Sequence, residues 1–174
     1  FNRLIWMDPA GKFSCYDKRH LFRMSGENDH FSSGNSYFTA NLKGWKIRPF
    51  ICYDLRFPVW TRNKMEKDNS QPGYDLIIFS ANWPSSRINV WDTLLKARAI
   101  ENSAYSMGVN RIGVDKEGII YNGHSCVYNF KGENLFNLSE GELVQTMTLS
   151  MTDLIQYREK FPVHYDADDY NVLS

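Results

Sequence analysis

The residue best placed to act as a nucleophile is Cys52. It lies in the run PFICYDLRFP (residues 49–58), where an apolar strand predicted over Trp45–Cys52 meets a short helix predicted over Val59–Lys67. A side chain at the end of such a strand projects at the sheet edge where α/β proteins build their clefts, and a nearby helix N-terminus favours a thiolate. A buried core cysteine fits this position equally well, so a catalytic role needs further support.

A thiol nucleophile needs an activating group, and the sequence offers several. His124 and His20 are of the usual type for a base, although neither is marked by its context. Lys18 ends a predicted strand in the run YDKRHLF (residues 16–22), and Glu27 lies in a polar loop. Taken singly, this lysine and this glutamate are typical of solvated surface groups.

Composition narrows the class of protein. Twenty basic and twenty acidic residues balance, which argues against a general binder of nucleic acid or anionic membranes, because both need excess positive charge. No apolar run is long enough to span a bilayer. The four histidines show no metal-ligand spacing, so the sequence predicts no metal site.

The other two cysteines carry a structural prediction. Cys15 and Cys126 lie within strand-like runs, and we expect them in the core. Three widely spaced cysteines make no disulfide framework, which favours a reducing, cytoplasmic location.

Strands and helices alternate through the middle of the chain, which predicts an α/β fold with helices packed on a sheet. The apolar run Tyr74–Ser80 is typical of a strand buried on both faces, and Asn89–Asn102 is the clearest helix. Hairpins on either side indicate a mixed sheet. The other predicted elements are strands at Leu4–Met7, Phe13–Tyr16, Tyr37–Leu42, Ala104–Asn110, His124–Phe130 and Leu143–Leu149, a loop at Ser25–Ser36, a hairpin at Asp115–Gly118 and a helix at Thr152–Lys160.

Several short motifs occur in an order that resembles the nitrilase superfamily of carbon–nitrogen hydrolases. They are YDKRHLF, a GE pair whose Glu27 is seven residues before Gly34, then PFICYDLRFP, SANWP and ARAIEN, and the resemblance continues through FPVHY at residues 161–165. Independent motifs in series are far more specific than one match. Within the superfamily the chain is most similar to bacterial omega-amidases, which hydrolyse the terminal amide of 2-oxo acids such as 2-oxoglutaramate.

The resemblance implies a Glu-Lys-Cys triad, often joined by a second glutamate. Matched motif by motif, Cys52 is the nucleophile, Lys18 is the triad lysine, and Glu27 falls where the second glutamate lies. The base glutamate of the family belongs to a segment before the first hairpin, to which nothing in these residues corresponds. The Lys18 ammonium and a backbone N–H, that of Tyr53, are expected to stabilise the charge that builds on the carbonyl oxygen.

An omega-amidase must also bind the distal carboxylate of its substrate. Arginine suits this task because it binds carboxylates bidentately, and Arg87, just after the NWP motif, is our candidate. Phe57 and Trp83 are expected to wall the pocket. Arg56 belongs to the shared motif, so we expect it to form a structural ion pair with Asp54 instead.

The resemblance further implies a nitrilase-like four-layer α-β-β-α sandwich, a small-molecule amide as substrate, and a homodimer or higher homo-oligomer. It also implies a reaction that requires no metal or organic cofactor. We expect residues 1–174 to form a single carbon–nitrogen hydrolase domain that is N-terminally incomplete, similar to the C-terminal two-thirds of such an enzyme. The chain starts without Met inside a strand-like run, which supports this expectation.

Three alternatives stay open at the level of sequence. The chain could be an inactive fragment or scaffold that lacks the base glutamate. It could be a Cys-His hydrolase of unrelated fold that uses Cys52 with His124. It could also belong to another branch of the superfamily, with nitrile, carbamoyl or acyl-transfer chemistry.

Overall fold

The computed structural model describes residues 1–66, 71–138 and 144–172, and its centre is a six-stranded sheet. The strands of this sheet are β3 (Ala40–Leu42), β4 (Trp45–Ile51), β5 (Leu76–Ala81), β6 (Tyr105–Asn110), β9 (Ser125–Tyr128) and β10 (Asn134–Leu138). They lie in the order β10-β9-β6-β5-β4-β3. The inner strands β4, β5 and β6 are parallel, and the outer pairings are antiparallel, which confirms the predicted mixed sheet.

Two hairpins lie outside this sheet. Strands β1 (Arg3–Met7) and β2 (Phe13–Asp17) form the first, as the sequence predicts. Strands β7 (Ile112–Val114) and β8 (Ile120–Asn122) form the second, around the predicted turn.

Helix α3 (Ile88–Asn102) covers one face of the sheet. Its apolar side buries Trp91, Leu95 and Ala99 completely. Gly108 of β6 lets the helix approach, since a Cβ atom there would lie 2.4 Å from side-chain atoms of both Leu95 and Trp91. This close packing holds α3 against strand β6. The other helices are α1 (Glu27–His30), α2 (Pro58–Thr61) and α4 (Met151–Lys160).

Helix α4 closes a second apolar cluster. Leu154 is fully buried there and packs with Ile47, Leu76 and Tyr105, one from each parallel strand. Side chains alternate between the two faces of a strand, so this cluster lies on the opposite face of the sheet from α3. The sheet is therefore covered on both faces, as expected for parallel strands.

Some predicted boundaries are wrong. The helix predicted over residues 59–67 ends at Thr61, because Arg62 is extended and Asn63 is held by its own hydrogen bonds; Lys67 lies outside the described residues. The predicted strand over residues 143–149 is not a strand at 144–149, and residue 143 lies outside the described part. Strand β10 pairs with β9 at that edge of the sheet instead. Among the described residues, no helix has the length and apolarity needed to cross a membrane.

Candidate active site

Cys52 stands where strand β4 turns sharply at the carboxyl edge of the parallel strands. It is the first residue of a 3-10 helix, Cys52–Arg56, and its φ of +43° lies in the left-handed region that a non-glycine residue rarely adopts. Such backbone strain concentrates at functional sites. The Sγ atom contacts the carbonyl oxygen of Asn82, 3.9 Å away, at the end of the neighbouring strand β5.

The turn is held from beneath by Asp54, whose side chain is fully buried. This carboxylate accepts hydrogen bonds from the Ile51 N–H (3.2 Å), the Tyr16 hydroxyl (2.8 Å) and the His20 N–H (3.0 Å). Nδ1 of His20 lies 2.8 Å from the same carboxylate. Because three segments converge on one buried acid, the Cys52 turn is tightly fixed.

The expected ion pair between Arg56 and Asp54 is wrong. Asp54 is occupied by the donors just described, and the Arg56 guanidinium lies over the Trp83 ring, 5.1 Å from its centroid. Since Asp54 already receives several hydrogen bonds in the core, arginine is left to stack on the neighbouring aromatic ring.

Lys18 and Glu27 form a buried ion pair beside this turn. Lys18 Nζ lies 2.5 Å from Glu27 Oε2, and the two side chains are 5% and 10% exposed. Glu27 also accepts hydrogen bonds from the Phe22 N–H and the Asn2 side-chain amide, each at 2.6 Å. Gly34 packs against the backbone just before Lys18, where a Cβ atom would lie 2.1 Å from the Asp17 carbonyl oxygen. The structure therefore brings the predicted triad lysine and the predicted second glutamate into contact, and their roles in catalysis stay predictions.

Charges near Cys52 set its reactivity. Burial raises the pKa of the thiol, the Lys18 ammonium lowers it, and the Glu27 and Asp54 carboxylates raise it. The charge of Cys52 in turn raises the pKa of the Tyr121 phenol, on β8. The net pKa is raised, so the thiol is protonated at neutral pH and needs a base for attack.

The pKa of Glu27 shifts in the opposite direction. Burial alone would raise it, but hydrogen bonds from Lys18, Phe22 and Asn2 lower it overall. Glu27 is therefore ionised at neutral pH and fully engaged by donors.

Neither candidate histidine contacts Cys52 through a hydrogen bond in the part of the chain that the structure describes. His124 Nδ1 lies 3.0 Å from Asp92 Oδ2, and His20 is bound to Asp54. The imidazole of His20 also stacks on the Phe57 ring at 3.7 Å between centroids. This geometry gives no support to a Cys-His pair.

The predicted pocket residues fall around the Cys52 turn. Tyr53 is half-buried, with its ring 5.1 Å from Phe57 and 5.0 Å from Phe22. Phe22 in turn lies under the Arg87 guanidinium, 5.6 Å from its ring centroid. Phe22, which sequence reasoning missed, thus contacts both Arg87 and Tyr53, the residue after Cys52.

Trp83 is more deeply buried than a pocket wall would suggest. It is 3% exposed and packs against Trp91 at 5.5 Å between ring centroids. Its Nε1 donates to the Arg87 carbonyl oxygen at 2.9 Å, so the tryptophan supports the segment that carries Arg87. Its contact with substrate stays a prediction.

Two further site residues escaped sequence reasoning. Asn82 offers a backbone carbonyl to Cys52, which no side-chain motif can reveal. Asn110 ends β6 and binds the loop that carries Asn82. A polar residue at the end of a buried strand is the signal that could have found Asn110.

The groups around Cys52 are those that nucleophilic catalysis uses. Across the described ranges, no group of three or more histidine, cysteine, aspartate or glutamate side chains could hold a metal ion. A strained cysteine, a buried ammonium and backbone N–H groups are instead the parts of a covalent hydrolase site.

Comparison with known proteins then identifies the family. The sequence model of the carbon–nitrogen hydrolase family matches residues 1–159, and the chain belongs to this family. The crystal structure of XC1258 from Xanthomonas campestris, described as a CN-hydrolase superfamily protein with an arsenic adduct in its active site, superposes with a TM-score of 0.96 at 44% identity. That match covers 99% of this chain and 65% of the other, and it confirms the predicted nitrilase-like α/β fold.

Two curated relatives are similar over nearly the whole chain. The omega-amidase YafV of Escherichia coli (strain K12) is 45% identical over 98% of this chain and 64% of its own length. The 2-oxoglutaramate amidase of Bacillus subtilis (strain 168) is 32% identical over 95% of this chain and 62% of its own length. The chain thus spans a little under two thirds of the length of these relatives.

Proposed function

We propose that this protein is an omega-amidase-like amidohydrolase that cleaves the terminal amide of a small 2-oxo acid through a Cys52 thioester. The observation that carries the proposal is Cys52, strained at the end of β4 and subject to the charge of the buried Lys18. The names of the similar proteins, omega-amidase and 2-oxoglutaramate amidase, support the substrate class.

The first half of the reaction forms the thioester. A base takes the Cys52 proton, and the thiolate attacks the amide carbonyl carbon. The Lys18 ammonium and the Tyr53 N–H stabilise the negative charge on the carbonyl oxygen. The carbon–nitrogen bond breaks as the base returns its proton to nitrogen, and ammonia leaves.

The second half restores the enzyme. Water, deprotonated by the same base, attacks the thioester carbon, and the carbon–sulfur bond breaks to release the acid and Cys52. With 2-oxoglutaramate, the products are 2-oxoglutarate and ammonia. These steps need no redox cofactor because no atom changes its oxidation state.

Glu27 is better suited to hold Lys18 than to act as the base. Its carboxylate is bound to three donors, and its pKa is lowered, both of which weaken it as a proton acceptor. We therefore assign the proton transfer to a group other than Glu27. Glu27 then fixes the ammonium beside the reacting carbonyl.

Arg87 is the proposed partner of the substrate's distal carboxylate. Its guanidinium lies over Phe22, which contacts Tyr53 next to the nucleophile. A short dicarboxylic monoamide held between Cys52 and Arg87 would be fixed at both ends.

A substrate panel tests this function on the full-length protein. Ammonia release is measured with 2-oxoglutaramate, with a simple amide that lacks the distal carboxylate, with a carbamoyl compound and with a nitrile. We expect the highest kcat/KM with 2-oxoglutaramate and a much lower value for the simple amide, because Arg87 then loses its partner. Preference for the carbamoyl compound or the nitrile would assign the protein to another branch, and no turnover of any compound would favour a scaffold.

A further inference from the structure

The side chain of Asn110 clamps the loop that faces Cys52. Its Oδ1 accepts a hydrogen bond from the Trp83 N–H at 2.7 Å, and its Nδ2 donates to the Trp83 carbonyl oxygen at 2.9 Å. The same Nδ2 donates to the Gly123 carbonyl oxygen at 2.7 Å. One buried amide therefore joins the loop after β5 to the hairpin β7–β8.

The clamp is itself fixed in position. The Asn110 N–H donates to Ser125 Oγ at 3.0 Å, and this hydroxyl lies 3.3 Å from the Asn110 carbonyl oxygen. Asn110 ends strand β6 and Ser125 begins strand β9, so these bonds anchor the asparagine to two strands of the central sheet. A group held this firmly can impose a position on the loop that it binds.

What the loop presents to Cys52 is Asn82, the residue before Trp83. The Asn82 carbonyl oxygen lies 3.9 Å from Cys52 Sγ. Because Trp83 is tied at both its N–H and its carbonyl, Asn82 has little freedom to move away from the sulfur.

We propose that Asn110 is a positioning residue for Cys52: through Trp83 it holds the Asn82 backbone against Sγ and so sets the reactivity of the thiol. This proposal rests on Cys52 being the nucleophile of the proposed function. Asn110 itself does not touch the reacting atoms.

The electrostatics of the site agree with this role. The Asn82 carbonyl oxygen can only accept a hydrogen bond from the Cys52 S–H, and this contact stabilises the protonated thiol against the effect of the Lys18 ammonium. The other charged or titratable groups that act on the thiol are Glu27, Asp54 and Tyr121. Losing the clamp should therefore leave the thiol easier to ionise and more reactive at neutral pH.

The chain provides a matched control in Asn63. Its Oδ1 accepts from the Tyr74 N–H at 2.9 Å, and its Nδ2 donates to the carbonyl oxygens of Tyr74 (2.8 Å) and Asn102 (3.2 Å). This repeats the Asn110 pattern before the other end of β5, away from Cys52. Asn63→Ala and Asn110→Ala thus remove the same kinds of bond at two places.

The experiment measures how fast iodoacetamide alkylates Cys52 as a function of pH, followed by mass spectrometry of the Cys52 peptide. In Asn110→Ala we expect the rate at neutral pH to rise several-fold and the midpoint of the profile to move to lower pH. Asn63→Ala should match the wild type in both quantities. Alkylation requires no turnover, so this result stands apart from the outcome of the substrate panel.

An unchanged rate and midpoint in Asn110→Ala would overturn the proposal, as would an equal change in Asn63→Ala. If Asn110→Ala does not fold, Asn110→Ser replaces it. The serine side chain adds no charge and is too short to reach both Trp83 and Gly123, so its Cys52 should also react faster than in the wild type. A wild-type rate in Asn110→Ser would also overturn the proposal.

Discussion

At each end of the parallel strands, a buried asparagine side chain binds the backbone N–H and carbonyl of an aromatic residue, but the surroundings of the two asparagines differ. At the amino end, Asn63 binds Tyr74, and the buried Arg158 donates to Asp75 at 2.7 Å and to the Tyr74 carbonyl oxygen at 2.9 Å. At the carboxyl end, Asn110 binds Trp83 in the same way that Asn63 binds Tyr74.

The difference lies in what each clamp surrounds. At the amino end the buried charges of Arg158 and Asp75 face each other and are hydrogen-bonded to backbone groups. At the carboxyl end the clamp surrounds Cys52, which has a strained backbone and a single long contact from its sulfur. The groups at the amino end therefore stabilise the sheet, whereas those at the carboxyl end hold a thiol with few hydrogen-bond partners.

The largest expected effect tests the amino end. Arg158→Met removes the ion pair and leaves the Asp75 carboxylate buried without it, so we expect the free energy of unfolding to fall by about 3–5 kcal/mol. Urea denaturation measures this loss. The alkylation rate of Cys52 in the folded protein should stay the same.

The exposed pair Arg3–Asp17 provides the control for this prediction. Arg3→Met breaks two short contacts, at 2.6 and 2.9 Å, yet it should cost far less because solvent screens that pair. Equal losses in the two variants, or a changed Cys52 reactivity in Arg158→Met, would break the distinction between the two ends.

A smaller effect is expected at the carboxyl end. Lys18→Met removes the ammonium that lowers the pKa of Cys52, so the thiol should be alkylated several-fold more slowly at neutral pH. Burial keeps the Cys52 thiol protonated at neutral pH, and only the thiolate is alkylated, so the alkylation rate rises with pH. Losing the Lys18 ammonium raises the pKa of the thiol and moves this rise to higher pH.

Lys46→Met serves as the comparison for the lysine. Lys46 pairs with Glu66 at 2.7 Å at the amino end of β4, whereas Cys52 follows the carboxyl end of that strand. Slowed alkylation in Lys46→Met, or wild-type alkylation in Lys18→Met, would contradict the assignment of Lys18.

Sequence was sufficient for the parts of the fold that hydrophobicity dictates. The continuous apolar run at β5 and the helical spacing of α3 each reflect burial of the segment's own side chains. The end of α2 at Thr61 was missed because it depends on Asn63, which binds Tyr74 and Asn102 far along the chain. Such tertiary hydrogen bonds leave no local pattern.

The same limit applies to the site. Short motifs predict roles for Cys52, Lys18 and Glu27, and the structure brings the lysine and glutamate into contact. The role of Asp54 was misjudged because its nearest cation in sequence, Arg56, is not its partner in space. Asn82 acts through its backbone, which its residue type does not encode.

The central claim is that Cys52 carries the acyl group, and one measurement on the full-length protein tests it most directly. Ammonia release from 2-oxoglutaramate is compared in the wild type, in Cys52→Ala and in Cys15→Ala, a half-buried cysteine of β2. We predict that Cys52→Ala abolishes release while remaining folded and that Cys15→Ala retains it. Undiminished release by folded Cys52→Ala would contradict the account.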